Sequence, residues 1–199
     1  MSIKLATGTA LAIATTYGSA VNMTALTNAS EAVATLAGGH GVIVGDFLEV
    51  TSGWDLLNSR IVRVSVVATN DITFENINTS SVTNYPAGTG TGTIRRITAW
   101  TTISQVQSFA TAGGDLNFAD ITTIADKTQK QVPTTRSPQT LTMTVFDDPS
   151  LAGQAAVQNA SDLSTPAAFR IVFPDSSRMV INGYWSIKSA PDVNVNAPV

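Results

Sequence analysis

Leu141, Met143 and Val145 alternate with Thr140, Thr142 and Thr144, so one side of this stretch is apolar and the other carries hydroxyls. A period of two of this kind predicts a half-buried β-strand. The pattern stops at Asp147-Asp148-Pro149, and the sequence there predicts one short helix over about 149–161. Asp148 is expected as its cap, accepting from the open amides of the first turn, with Pro149 at the first helical position, where no amide donor is needed. Leu151, Ala155 and Gln158, beside Ala152, Ala156 and Asn159, give the helix a narrow profile suited to lying close on a sheet. A strand over 168–173, a turn at Pro174-Asp175-Ser176-Ser177 and a returning strand over 178–187 follow.

Earlier in the chain the apolar runs are shorter. Strands are expected over 32–36, 46–51, 60–67, 72–76 and 90–97, parted by turn chemistry such as Gly38-Gly39-His40-Gly41 and Val44-Gly45-Asp46. Short strands joined by tight turns favour a small closed barrel, because closure removes exposed edges. Leu11 and Ile13 alternate with alanine and read as a strand. Lys4 and the apolar stretch from Leu5 to Ala14 imitate a secretion signal, but Thr7-Gly8-Thr9 interrupts it. Residues 113–138 are polar and read as a strand followed by an extended loop of mixed charge.

Composition narrows the functional classes. Only 13% of the 199 residues are charged, the balance of a β-rich protein that hides surface against neighbours. Net charge is -3, and no basic cluster exceeds Arg95-Arg96. Specific duplex binding needs a concentrated set of cations facing phosphates, and none is present. With no cysteine, disulfides and thiolate metal sites are excluded. No apolar run approaches the ~18 residues of a membrane span.

The order "LTMTVFDDPSLAGQAAVQNASD" then "AFRIVFPDSSRMVINGYWSIKS" resembles the major tail tube proteins of long-tailed, siphovirus-like bacteriophages, over roughly residues 100–191 with a weaker match near the N-terminus. His40-Gly41, Gly45-Asp46, Gly53-Trp54, Leu57-Asn58 and "DITFENINTSSVTNYPAGTGTG" resemble a small β-barrel module that recurs in phage tail and baseplate proteins. The resemblance implies a mainly β fold: a tail-tube β-sandwich or barrel core from residues 1–29 plus 97–199, with one short helix, and an inserted small β-barrel at 30–96. It implies a structural virion protein whose copies form hexameric rings, stacked into a hollow tube through which genomic DNA passes non-specifically. Its other partners would be tape measure, tail terminator and distal tail proteins. Assembly would take place in the host bacterial cytoplasm, with the virion tail as the final location. A loop of the inner sheet reaches the adjacent ring in this family. Residues 113–138 are its candidate here, with Asp115, Asp120, Asp126, Lys127 and Lys130 as assembly or lumen residues. Tail tube sequences usually continue into another Thr/Val-rich strand where this one reads "DVNVNAPV", so the sheet as written is expected to lack its last strand.

No residue supports an enzyme reading, and no cofactor is called for. His40 has no acidic or serine partner at a catalytic spacing and reads as a turn residue. Gly88-Thr89-Gly90-Thr91-Gly92 leads into a strand where a phosphate cradle would open a helix, so it reads as a flexible loop. Asp147 and Asp148 are adjacent on a chain leaving a strand and point in different directions, so shared acid/base work on one substrate is not expected. Trp54, Trp100 and Trp185 are too scattered for a base-stacking platform. Two alternatives remain: a carbohydrate-binding surface module stacking sugars on Trp54, Tyr85 and Trp100, and a tail terminator or completion protein that forms single rings.

Overall fold

The structure, a computed structural model, describes residues 7–188. The readings made for Leu5 and for the terminal "DVNVNAPV" lie outside the described residues. The elements run β1 Ala10–Tyr17, β2 Val21–Leu26, β3 Val33–Leu36, β4 Phe47–Ser52, β5 Ile61–Ala68, β6 Asp71–Phe74, β7 Gly92–Ile103, β8 Val106–Gly113, β9 Leu116–Asp120, β10 Gln131–Arg136, β11 Gln139–Val145, α1 Ala152–Asp162, β12 Ala167–Val172 and β13 Arg178–Gly183. The fold is mainly β with a single helix among the described residues. These residues form two compact units, 7–104 with 148–188 and, separately, 105–147.

In the first unit β7 belongs to two sheets at once. Its opening residues pair with β2 on one side and β4 on the other, while Ile97 to Ile103 pair with β1. The pairings β7-β2-β3-β6-β5-β4 lead back to β7, so six strands close a barrel. The expected strands are all present, and β2 joins them. It went unread although Val21, Met23 and Ala25 alternate with Asn22 and Thr24, a run of only six residues in which Met23 alone is buried.

The period-two pattern sends Leu48, Val50, Val64, Ile72, Phe74 and Ile94 into the barrel, all at most 1% exposed. Burying each contributes about 1.5–3 kcal/mol. Trp54, on the turn after β4, closes one side of this core. Its ring meets Tyr85 edge-on at 5.2 Å, and its indole N–H donates to the Pro86 carbonyl at 2.7 Å and to Thr89 Oγ1 at 3.1 Å. Gly90 lies against the indole, where a Cβ would come within 2.7 Å of Trp54 Cε2. The glycine-rich stretch is thus a packed lid over the tryptophan and not the flexible loop the sequence suggested.

The other sheet of this unit runs β13-β12-β1-β7. On one face Ala14, Phe47, Ile97 and Ala168 make a small second core with Tyr17, Ile61, Trp100 and Val180. Polar groups join this sheet to the barrel. Glu49, 7% exposed, accepts from Arg95 Nε at 2.9 Å and from Asn182 Nδ2 at 3.2 Å, while Asn182 Nδ2 also donates to the Ser59 carbonyl at 3.1 Å. The Tyr17 hydroxyl accepts from the Ala168 amide at 2.9 Å, and burial raises its pKa above the usual phenol value.

Helix α1 begins later than expected, and Asp148 is not its cap. Leu151 occupies the cap position with extended backbone and no side-chain hydrogen bond. Asp148 Oδ1 instead accepts from the Ser150 amide at 3.1 Å and hydroxyl at 2.6 Å, closing a turn over Pro149 before the helix starts. Such a local side-chain bond competes directly with capping. Gln154, 7% exposed, reaches back to the Asp148 amide at 3.0 Å. The returning strand is likewise shorter than the expected 178–187.

Candidate assembly surface

Residues 105–147 form a two-stranded ribbon, kinked in the middle. Its first half pairs β8 with β11, from Gln139 opposite Gly113 to Val145 opposite Val106. Residues directly opposite in an antiparallel pair share a face. Val106, Phe109, Leu141, Met143 and Val145 therefore lie on one side, and Ser108, Ala110, Ala112, Thr140, Thr142 and Thr144 on the other. The apolar side is only half-buried and the hydroxyl side is exposed. Beyond their mutual pairing, both strands have no strand partner at their outer backbone edges among the described residues. Unpaired edges of this kind are templates for adding a strand.

Gly113 and Gly114, at φ +77° and +81°, make the kink. A side chain at Gly113 would bring a Cβ within 2.1 Å of the Pro138 carbonyl oxygen. Beyond it β9 pairs with β10, so the sequence reading of one strand and a long loop is corrected to a hairpin. All residues of both strands are exposed. An isolated two-stranded hairpin is marginal in water.

Most of the expected assembly residues gather at the tip of this hairpin. Asp120 Oδ1 accepts from the Thr122 hydroxyl at 2.5 Å and amide at 2.8 Å, and those bonds hold its carboxyl below the usual pKa. Asp126 is lowered first by its ion pair with Lys130, then by the Thr123 amide and hydroxyl, each at 2.9 Å. The Lys130 amide donates to Thr122 Oγ1 at 3.0 Å, tying the two turns together. Lys127 is on the same loop without a described bond. Asp115 stands apart, beside the kink, where its backbone carbonyl accepts from the Ser137 amide at 2.8 Å.

The tip also holds what sequence reasoning missed. Ile124 is fully exposed, and Phe118, Ile121 and Val132 are each at least 44% exposed. The signal was the pair of isoleucines inside polar "DITTIADK", which the charged neighbours obscured.

The remaining candidate chemistry resolves into structure. His40 Nδ1 accepts from the Val42 amide at 3.1 Å and Nε2 lies 2.9 Å from the Thr69 carbonyl, so both ring nitrogens serve the turns. Trp54 and Tyr85 point into the barrel core, which removes two of the three stacking groups of the carbohydrate reading. Trp185 packs edge-on against Phe169 at 5.5 Å. No group of metal-ligating side chains occurs among the described residues, and no helix there is long and apolar enough to cross a membrane.

A family model described as phage tail tube protein, TTP, matches residues 52–199, well over half of the chain. Neither the curated proteins nor the solved structures give a match to this chain.

Proposed function

The chain belongs to the phage tail tube protein family, a family of structural proteins and not of enzymes, and we propose that its copies form hexameric rings which stack into a hollow conduit for DNA. Membership implies a structural subunit of the virion tail that self-assembles and meets other tail proteins. The finer reading is supported by one observation above the rest: the ribbon of residues 105–147 presents edges that are unpaired among the described residues, and exposed apolar side chains that water does not favour.

In this reading, strands β8 and β11 pair edge-on with ribbons of neighbouring copies, a head-to-tail contact that closes by rotation into a ring. The half-buried apolar side turns away from the bore, and Ser108, Thr140, Thr142 and Thr144 turn to it. A hydroxyl wall without cations offers DNA no counterion-releasing contact and lets it slide. The tip around Asp120, Asp126, Lys127 and Lys130 reaches the adjacent ring, with Asp115 near the bore. Residues 97–199 and β1 supply the tube core, and 30–96, together with β2 of the closed barrel, an outer decorating module. Tape measure, terminator and distal tail proteins would meet the ends of the tube, which is built in the host cytoplasm.

Negative-stain microscopy of the concentrated protein tests this. Long filaments with a stain-filled centre are expected. Single rings that never stack would favour a terminator, and a persistent monomer would overturn the reading.

A further inference from the structure

A different feature lies on the β12–β13 hairpin of the first unit. Arg170 stands opposite Val180 and Arg178 opposite Val172, so the two arginines are diagonal neighbours on one face. The Arg170 guanidinium lies 4.5 Å from the Trp100 ring centroid, and its Nε is buried with no hydrogen-bond partner among the described residues. Neither arginine has a carboxylate at ion-pair distance among those residues. Burial, and then the charge of Arg178, press the Arg170 pKa below its usual value. Two neighbouring cations are unfavourable in an isolated subunit, and an arriving anion relieves them.

Arg178 also lines a groove of about 450 Å³ together with Arg63, Glu75, Ser176 and Ser177. Within it Arg63 is neutralised by Glu75 at 2.7 Å. Asp175, on the adjoining turn, accepts from the Ser177 amide at 3.0 Å. Arg178 is left as the uncompensated charge of the groove among the described residues.

We propose that this groove receives a carboxylate side chain from a second copy of the chain, with Arg178 as its first contact and Arg170 as the second cation. The inference rests on the reading of the chain as a self-assembling subunit, and it names a contact of that assembly. Charge complementarity supplies the occupant. The chain carries a net charge of -3, and Asp55, Asp115 and Asp147 are exposed with no side-chain bond among the described residues. A head-to-tail contact brings different surfaces of two copies together, as a receptor and a donor require. A patch of two cations is too small to hold a duplex against salt.

Arg178→Glu, on an exposed strand position, tests the proposal, with the critical concentration for filament formation measured by pelleting and microscopy. The expected result is an unchanged melting temperature of the monomer and a critical concentration raised about tenfold or more, since like charges then face each other. One of Asp55→Arg, Asp115→Arg or Asp147→Arg, combined with Arg178→Glu, restores assembly. Arg170→Met should repeat the defect. Wild-type protein that never assembles overturns the tube reading and this inference together. Wild-type filaments with Arg178→Glu filaments at the same concentration, or no charge swap that rescues, overturn this inference alone. A lowered monomer melting temperature in Arg178→Glu would place the carboxylate in the same molecule. Binding of a duplex oligonucleotide that Arg178→Glu abolishes would assign the groove to DNA. Either outcome also overturns it.

Discussion

Replacing Ile124 by serine separates the stability of the subunit from the strength of its assembly. In the free chain this side chain is wholly exposed, at 108% of the reference value, so it contributes no burial to the folded monomer. Substitution there should move unfolding free energy by no more than about 0.5 kcal/mol. The loop that carries it is held by Asp120, Asp126 and Lys130, none of which touches the isoleucine side chain in any hydrogen bond, so its backbone should keep its place. If the tip packs against another ring, the whole side chain is available for burial, worth about 1.5–3 kcal/mol. At about 1.4 kcal/mol per tenfold, the critical concentration for stacking should rise about 10- to 150-fold. Pelleting across a concentration series reads the assembly, and urea denaturation of the monomer reads the fold. Filaments that form at the wild-type concentration would refute the argument, because an exposed isoleucine would then be idle at the interface. A loss of several kcal/mol in the monomer would refute it differently, by showing that Ile124 is buried in the free subunit.

Two further predictions concern the monomer and the tip. Gly153→Ala replaces a glycine in the first turn of α1 and would gain at most about 1 kcal/mol of helix propensity, yet its Cβ would sit 2.3 Å from the Thr102 carbonyl oxygen and 2.8 Å from Ile103 Cα. Overpacking against backbone costs about 1–3 kcal/mol, so urea titration should show net destabilisation; a more stable variant would mean that α1 moves freely on β7. The carboxyls of Asp120 and Asp126 are lowered in the native loop, so their contribution to loop order is full above the ordinary carboxylate value of about 3.9 and is lost as pH falls through the native values. Protection of the Thr122 and Thr123 amides, relative to the intrinsic exchange rate at each pH, should fall in that acid window while the barrel amides stay protected, and equal protection of the tip at all pH values would contradict the hydrogen-bond assignment.

How far the sequence could be read depended on whether side chains recorded burial. Barrel strands β3, β5 and β6 were legible because each has a wetter and a drier side: Ile72 and Phe74 alternate with Asp71 and Thr73, and only the former are buried. Strand β10 was not, since "QVPTTR" has no dry side in the free chain, and its proline argues against a strand. The helix was foreseen but its start was misplaced. Asp148-Pro149 is a strong cap signal, and Ser150 drew the carboxylate into a local turn. The candidate site was legible as a region and not as a surface. The charges at 115–130 announced it, whereas the apolar side chains at the tip lacked the periodicity that would have drawn notice. Gly90 was misread because its function depends on Trp54, distant in sequence, lying against it.

The distribution of edge protection within the ribbon bears on how assembly would divide between its halves. Soluble proteins blunt exposed strand edges with charge, proline or bulges. Strands β8 and β11, "VQSFATAG" and "QTLTMTV", contain no charged residue and no proline. Their one irregularity lies between Thr144 and Val145. Strands β9 and β10 are different: they carry Asp120, Pro133 and Arg136, and their pairing is irregular between Pro133 and Arg136. Proline removes a backbone donor from the ladder, so a further strand docks poorly on that edge. The half next to residues 105 and 147 is thus open to strand addition, while the distal half resists it and presents isoleucines instead. Under the tube reading, sideways pairing within a ring falls to β8 and β11 and end-on packing between rings to the tip. Backbone hydrogen bonds set the register of the first contact, whereas burial of apolar area, which is not directional, drives the second. A tube built this way would hold a fixed circumference while tolerating small rotations between rings.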